Sequence, residues 1–153
     1  MKVFSSQNSV FRILSIVVLG IAMTSCGLFN NNNPEYKLSD LQGLWQENNT
    51  EEYVRFTTEQ AEEAGYFLGL EWNLAEDVTE QDRLDERAAD GFPGNGWFQY
   101  KFETNEKQLT EIHFMTNGGA EIPKIYIVSK LTATELVYYN KEYTNEKHYF
   151  TRK

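Results

Sequence analysis

Phe98-Gln99-Tyr100-Lys101-Phe102-Glu103 alternates an aromatic ring with a polar side chain. Successive side chains of a strand point to opposite faces. This period of two therefore puts the rings on one face and Gln99, Lys101 and Glu103 on the other. The stretch is a half-buried β-strand. Asn105-Glu106-Lys107 interrupts it, and residues 108–115 run back with Leu109, Glu111, His113 and Met115 on one face. Asn117-Gly118-Gly119 supplies residues that tolerate positive φ for the next reversal. Residues 123–131, rich in Ile, Val and Tyr, make another strand. Thr132-Ala133-Thr134 turns the chain into 135–141, and Thr144-Asn145-Glu146 turns it into 147–152. Toward the amino terminus, 66–73, 52–57 and 43–47 complete a set of eight candidate strands.

Eight short strands with regular turn signals predict an all-β fold, an eight-stranded antiparallel up-and-down barrel. Eight is also the number at which such a barrel closes around a small interior. Closure removes the edge strands that a flat meander would expose. Two connections are longer than tight turns. Thr57-Thr58-Glu59-Gln60 has the form of a capping box and Gly65 that of a helix stop, which predicts one or two helical turns. Residues 76–90 carry seven acids against Arg83 and Arg87, with Leu74, Val78, Leu84 and Ala88 on one helical face. They predict a short helix on the barrel rim. The Gly91-Phe92-Pro93-Gly94-Asn95-Gly96 segment after it is irregular, and the whole connection from Glu76 to Gly96 is either a functional lid over the open end or a solvated acidic loop.

The amino terminus has a different character. The first 25 residues contain Lys2 and Arg12, no acid, and an apolar run of 11 residues from Ile13 to Met23. A helix of that length rises about 16 Å, against about 30 Å of bilayer hydrocarbon. A positive start, a short apolar run and small residues before a cut describe a secretory signal peptide. Met23-Thr24-Ser25-Cys26 resembles a bacterial lipobox, in which the chain is cut before a cysteine that is then acylated. Met23 and Thr24 depart mildly from the usual residues. The resemblance implies a membrane anchor at Cys26, and Gly27 in place of the retention aspartate favours the outer membrane. The asparagines 30–33 and Pro34 make a polar tether. The predicted organisation is thus a signal peptide over 1–25, an acylated Cys26 and tether over 26–38, and a barrel domain over 39–153.

Removing the first 25 residues leaves 128 and takes the net charge from -9 to -11, because two bases go with them. That length suits one domain. The acidity argues against a nucleic-acid partner, since phosphate binding needs clustered Lys and Arg. The single cysteine excludes an internal disulfide or a CxxC site.

Leu41-Gln42-Gly43-Leu44-Trp45 lies on the first strand, and Tyr149-Phe150-Thr151-Arg152 ends the last. A Gly-x-Trp on strand one, eight strands and a terminal arginine together resemble the lipocalin-like barrels, and more closely the small lipocalin-like lipoproteins of the bacterial envelope. The resemblance covers residues 39–153. It implies that Trp45 plugs the closed end, that Arg152 lies across its indole, and that Gly43 lets neighbouring backbone approach. These roles are structural, and the resemblance places ligand binding at the open end. The chain departs from secreted lipocalins in its short strands and its lack of stapling cysteines. Its mature part holds 20 aromatic residues, which either fill so small a barrel or line a cavity within it.

Specific chemistry is sparse. Glu111 and His113 share a strand face, but no third ligand is spaced for a metal and His148 stands alone, so the pair reads as solvent-facing. The acids of 76–90 lack the register of a calcium loop. No G-x-S-x-G, H-E-x-x-H or P-loop occurs. Neither catalytic residues nor a metal or cofactor are predicted. The aromatics Tyr66, Trp72, Phe92, Trp97, Tyr100, Tyr126 and Tyr138 are the candidates for contact with a small hydrophobic or amphipathic ligand, with Tyr66, Leu68, Leu70 and Trp72 on one face of the third strand. The alternative is a filled barrel whose acidic rim docks a basic envelope protein.

Overall fold

A computed structural model describes residues 35–153 apart from Gly118. The signal segment, Cys26 and the asparagine-rich tether up to Pro34 lie outside the described residues. Among those described, the chain forms β1 (Gly43–Glu47), β2 (Glu52–Gln60), β3 (Phe67–Asn73), β4 (Trp97–Glu103), β5 (Gln108–His113), β6 (Lys124–Leu131), β7 (Glu135–Asn140) and β8 (Lys147–Arg152). Each strand pairs antiparallel with the next, and β1 pairs with β8 through Trp45↔Arg152 and Glu47↔Phe150, closing an eight-stranded up-and-down barrel. Two helices accompany it: α1 (Leu38–Leu41) and α2 (Glu80–Asp90), the latter preceded by a 3₁₀ turn at Leu74–Glu76. Among the described residues no helix is long and apolar enough to cross a membrane.

The strand parity divides the side chains. Trp45, Val54, Phe56, Phe98, Tyr100, Phe102, Leu109, Val128, Leu136, Tyr138 and Phe150 are buried together as the barrel core. The β4 stretch that fixed the fold supplies three of its rings. Phe56 meets Tyr100 edge to face at 5.0 Å and Phe98 at 5.8 Å, the arrangement that ring quadrupoles favour. The Tyr100 hydroxyl donates to the Thr57 carbonyl at 2.6 Å, and burial raises its pKa to about 12.

This packing fills one end of the barrel, and α1 covers it. Leu41 and Trp45 are wholly buried there, and the Trp45 indole N–H donates to the Leu41 carbonyl at 2.7 Å. The Arg152 guanidinium lies 4.3 Å from the centre of the Trp45 ring and donates to the carbonyls of Gln42, at 2.9 Å, and Asp40. Gly43 has φ +138°, and a Cβ there would stand 2.5 Å from Arg152 Nη1. The close approach at Gly43 is thus made by a side chain and not by neighbouring backbone. Tyr36 and Leu38, assigned to the tether from sequence, pack into the same end; the Tyr36 hydroxyl donates to the Ser129 carbonyl at 3.2 Å. The domain begins before residue 39 because these two apolar residues have core to bury into.

Two further expectations need correcting. Residues 57–65 form no helix. The Thr57 hydroxyl donates to the Leu68 carbonyl at 2.6 Å and accepts from the Glu59 amide, so it is unavailable as a helix cap. The chain stays extended to Gln60, with a register shift after Phe56, and Gly65 at φ +86° serves the turn into β3.

The helix at 80–90 does form, capped by Thr79 and Asp82 and stopped by Gly91 at φ 75°. It lies against the outer wall at β3, however, and not as a cover over the rim. Its seat is an outward cluster of Leu68, Leu70, Trp72 and Trp97, with Val78 and Tyr53 against it. The Trp97 indole N–H donates to the Arg83 carbonyl at 3.1 Å, and Arg87 sits 4.5 Å over the Trp97 ring. Arg55 pairs with Glu80, and Arg87 makes two bonds to Glu59, at 2.6 and 3.1 Å. A helix with so few apolar residues cannot bury itself over a polar mouth. It settles where Trp72 and Trp97 already present apolar surface.

Candidate functional site: the open end of the barrel

The inward face of nearly every strand changes character along its length. Going from the α1 end to the other, β1 presents Gly43, Trp45, Glu47; β2 Phe56, Val54, Glu52; β3 Phe67, Gly69, Glu71; β5 Leu109, Glu111, His113; β6 Val128, Tyr126, Lys124; and β8 Arg152, Phe150, His148. In an antiparallel meander alternate strands run in opposite directions. The ionisable residue therefore falls last in β1, β3 and β5 but first in β2, β6 and β8. Closure gathers all of them at one end, the end opposite Trp45.

That end holds a cavity of about 430 Å³. Its inner wall is Val54, Phe98, Tyr126, Tyr138 and Phe150; its mouth is Glu47, Glu52, Glu71, Glu111, His113, Lys124 and His148, with Glu76, Arg83, Asn95 and Gly96 along one side. The volume falls within the range of small-molecule pockets, about 300–1,000 Å³. It exists because packing stops at Phe98: Gly69, opposite it on β3, leaves room for the Phe98 ring where any Cβ would collide with it. Tyr126 and Tyr138 rings lie 4.9 Å apart, and Tyr138 stacks on Phe150 at 5.1 Å. Burial raises the hydroxyl pKa values of Tyr126 and Tyr138, so both stay neutral donors.

Glu111 and His113 are not solvent-facing. The Glu111 side chain is 6% exposed and that of His113 13%. His113 Nε2 stands 3.5 Å from Glu111 Oε2, its Nδ1 stands 3.4 Å from Glu71 Oε1, and its ring stacks on Phe98 at 5.1 Å. Burial opposes protonation of His113, but the two carboxylates outweigh it and raise its pKa to about 9. Burial likewise pushes the Glu111 carboxyl up, with His113 opposing. His148, alone in sequence, pairs with Glu47 at 3.0 Å on the other side of the mouth. The neighbouring Glu47 carboxylate also raises the pKa of Glu52. Among the described residues no three of His, Cys, Asp and Glu are grouped to hold a metal ion.

Of the aromatic residues nominated from sequence, Tyr126 and Tyr138 line the cavity, and Trp72 borders it with its ring stacked on Tyr53 at 5.5 Å. Tyr100 lies below, in the packed half, and Trp97 lies under α2 on the outer wall. Tyr66, in the turn before β3, and Phe92, after α2, are not in the lining. Leu68, Leu70 and Trp72 share one face of β3, but that face points outward because Phe67, Gly69 and Glu71 take the inward positions. The ring of ionisable groups is not legible in any one strand, because none carries more than two of its members. The signal that would have found it is the polar end of each inward stripe, read with strand direction alternated.

Comparison of the chain with protein-family models, with characterised proteins and with solved structures gives no match.

Proposed function

We propose that the protein is a lipid-anchored, lipocalin-like binding protein of the bacterial envelope, which holds a small amphipathic molecule at the open end of its barrel and does no chemistry on it. The carrying observation is the 430 Å³ cavity with an aromatic inner wall and an ionisable mouth. Such a site gives an apolar body a place to be buried and fixes a polar head at the entrance. Glu111 and Glu71 raise the pKa of His113 to about 9, which disfavours it as a general base near neutral pH. The lipobox-like Met23-Thr24-Ser25-Cys26 supports the anchor, with acyl chains contributing about 0.8 kcal/mol per buried CH₂. The docking-rim alternative has less support, because Glu80, Glu86 and Glu59 already have basic partners within the domain.

Native mass spectrometry and solvent extraction of protein purified from membranes test the reading. A small molecule should copurify, and a fluorescent amphipathic probe should bind and be displaced by it. Absence of both would remove the ligand-binding proposal. Cys26→Ser should give a folded domain that is soluble or unprocessed. Full membrane partitioning of that variant as mature protein would remove the anchor.

A further inference from the structure

We propose that the cavity recognises its ligand by a cationic head group, a protonated amine seated on Glu111. The inference rests on the ligand-binding reading above and adds the charge and chemical class of what is bound. Glu111 is the most deeply buried ionisable group of the mouth, and it lines the cavity. Its Oε2 faces His113, but its Oε1 has no hydrogen-bond partner among the described residues. A buried carboxylate oxygen without a donor is costly, and a ligand N–H supplies the donor.

The surrounding charges favour a cation over a neutral donor. Glu47, Glu52, Glu71 and Glu111 converge on the mouth. Lys124 Nζ stands 3.5 Å from Glu121 and Arg83 Nη1 donates to Glu86 at 3.1 Å, so both cations are engaged by carboxylates that are not in the cavity lining. His113 is shared between Glu111 and Glu71, and His148 faces Glu47. Crowding shows in Glu52, whose pKa rises beside Glu47, and burial does the same to Glu111. An entering ammonium would relieve both. Tyr126 and Tyr138 line the same wall, and a desolvated ammonium gains further from the quadrupole of an aromatic ring it meets. An alkyl or aryl body would lie against Phe98, Val54 and Phe150.

Three probes of one shape and different charge decide the matter: 2-phenylethylamine, 2-phenylethanol and phenylacetate, titrated calorimetrically into the mature protein at pH 7. The amine should bind at least tenfold tighter than the alcohol, and phenylacetate should bind weakest. This comparison uses the wild-type protein and needs no variant. Glu111→Gln, which keeps the side-chain shape, should abolish the preference of the amine over the alcohol. Equal binding of the three probes would overturn the cation inference and leave the ligand cavity standing. Preference for phenylacetate would assign the head group to Arg83, whose Nε also lacks a partner, and would overturn it as well. Failure of all three to bind would overturn the inference together with the cavity reading. An unchanged amine preference in Glu111→Gln would remove Glu111 as the seat.

Discussion

His113 should make this protein lose stability between mild acid and alkaline pH. Its pKa rises from 6.5 in the unfolded chain to about 9 in the fold, held there by Glu111 and Glu71 against the opposing effect of burial. Between those values the folded state binds a proton that the unfolded state lacks, so stability falls as pH rises. The contribution is fully present below 6.5 and is lost as the pH passes through about 9. At about 1.4 kcal/mol per pH unit it amounts to about 3 kcal/mol. The His113 side chain is 13% exposed but that of Glu71 is 51% exposed, so solvent screens the Glu71 share and about 3 kcal/mol is the upper end of the effect.

Urea unfolding at pH 6, 7.5 and 9.5, followed by tryptophan fluorescence, would measure it. His113→Gln alone is an incomplete control, because it leaves Glu111 buried without its cation. Without His113 the buried Glu111 carboxyl is pushed up further, and the protein loses stability as pH rises through that raised pKa. The double variant Glu111→Gln, His113→Gln removes both titrations and should be nearly flat between pH 6.5 and 9. A wild-type protein equally stable at pH 6 and 9.5, or a double variant with the wild-type slope, would refute the buried Glu71–His113–Glu111 arrangement.

The other expectations concern the closed end, the floor and α2. Arg152→Ala strips the cover from Trp45 and leaves the Gln42 and Asp40 carbonyls without their donor; it should cost about 2–4 kcal/mol in denaturant unfolding, and Arg152→Lys should recover only part of that. Gly69→Ala drives a methyl group into the Phe98 ring, and should cost about 1–3 kcal/mol and weaken probe binding through displacement of the cavity floor. Helix α2 has no buried residue of its own and is held by Trp97, Arg55 and Glu59, so its amides should exchange with deuterium at least tenfold faster than those of β4 and β5. Equal protection would mean that α2 is part of the cooperative core.

How far the sequence could be read depended on the range of the interaction. β1 and β8 run over the residues that alternation and turn signals indicate, because side-chain period and turn chemistry are local. At 57–60 a Thr-x-x-Gln pattern satisfies a helix cap and an extended strand equally well. Pairing with β3 chose between them, and that pairing is not visible in four residues. The acidic helix was legible from Leu74, Val78, Leu84 and Ala88 on one helical face, but its place on the wall depended on Trp72 and Trp97, which come from two different strands. Glu111 and His113 looked like a surface pair because a Glu-x-His on one strand face carries no statement of which face is inside.

Sequence by itself determined the eight strands, their antiparallel order and the polar break before the domain, since each follows from residue period, turn residues and composition along a few neighbouring positions. Only the tertiary structure decided that Phe56, Tyr100 and Trp45 fill one half of the barrel while Gly69 and Phe98 stop the packing short of the other. It alone brought Glu47, Glu52, Glu71, Glu111, His113 and His148 into one mouth, from five separate strands. The physical reason is closure. A barrel makes neighbours of residues up to about a hundred positions apart in the chain, as with Glu47 and His148, and the charge that those residues share is a property of the ring and of no single strand.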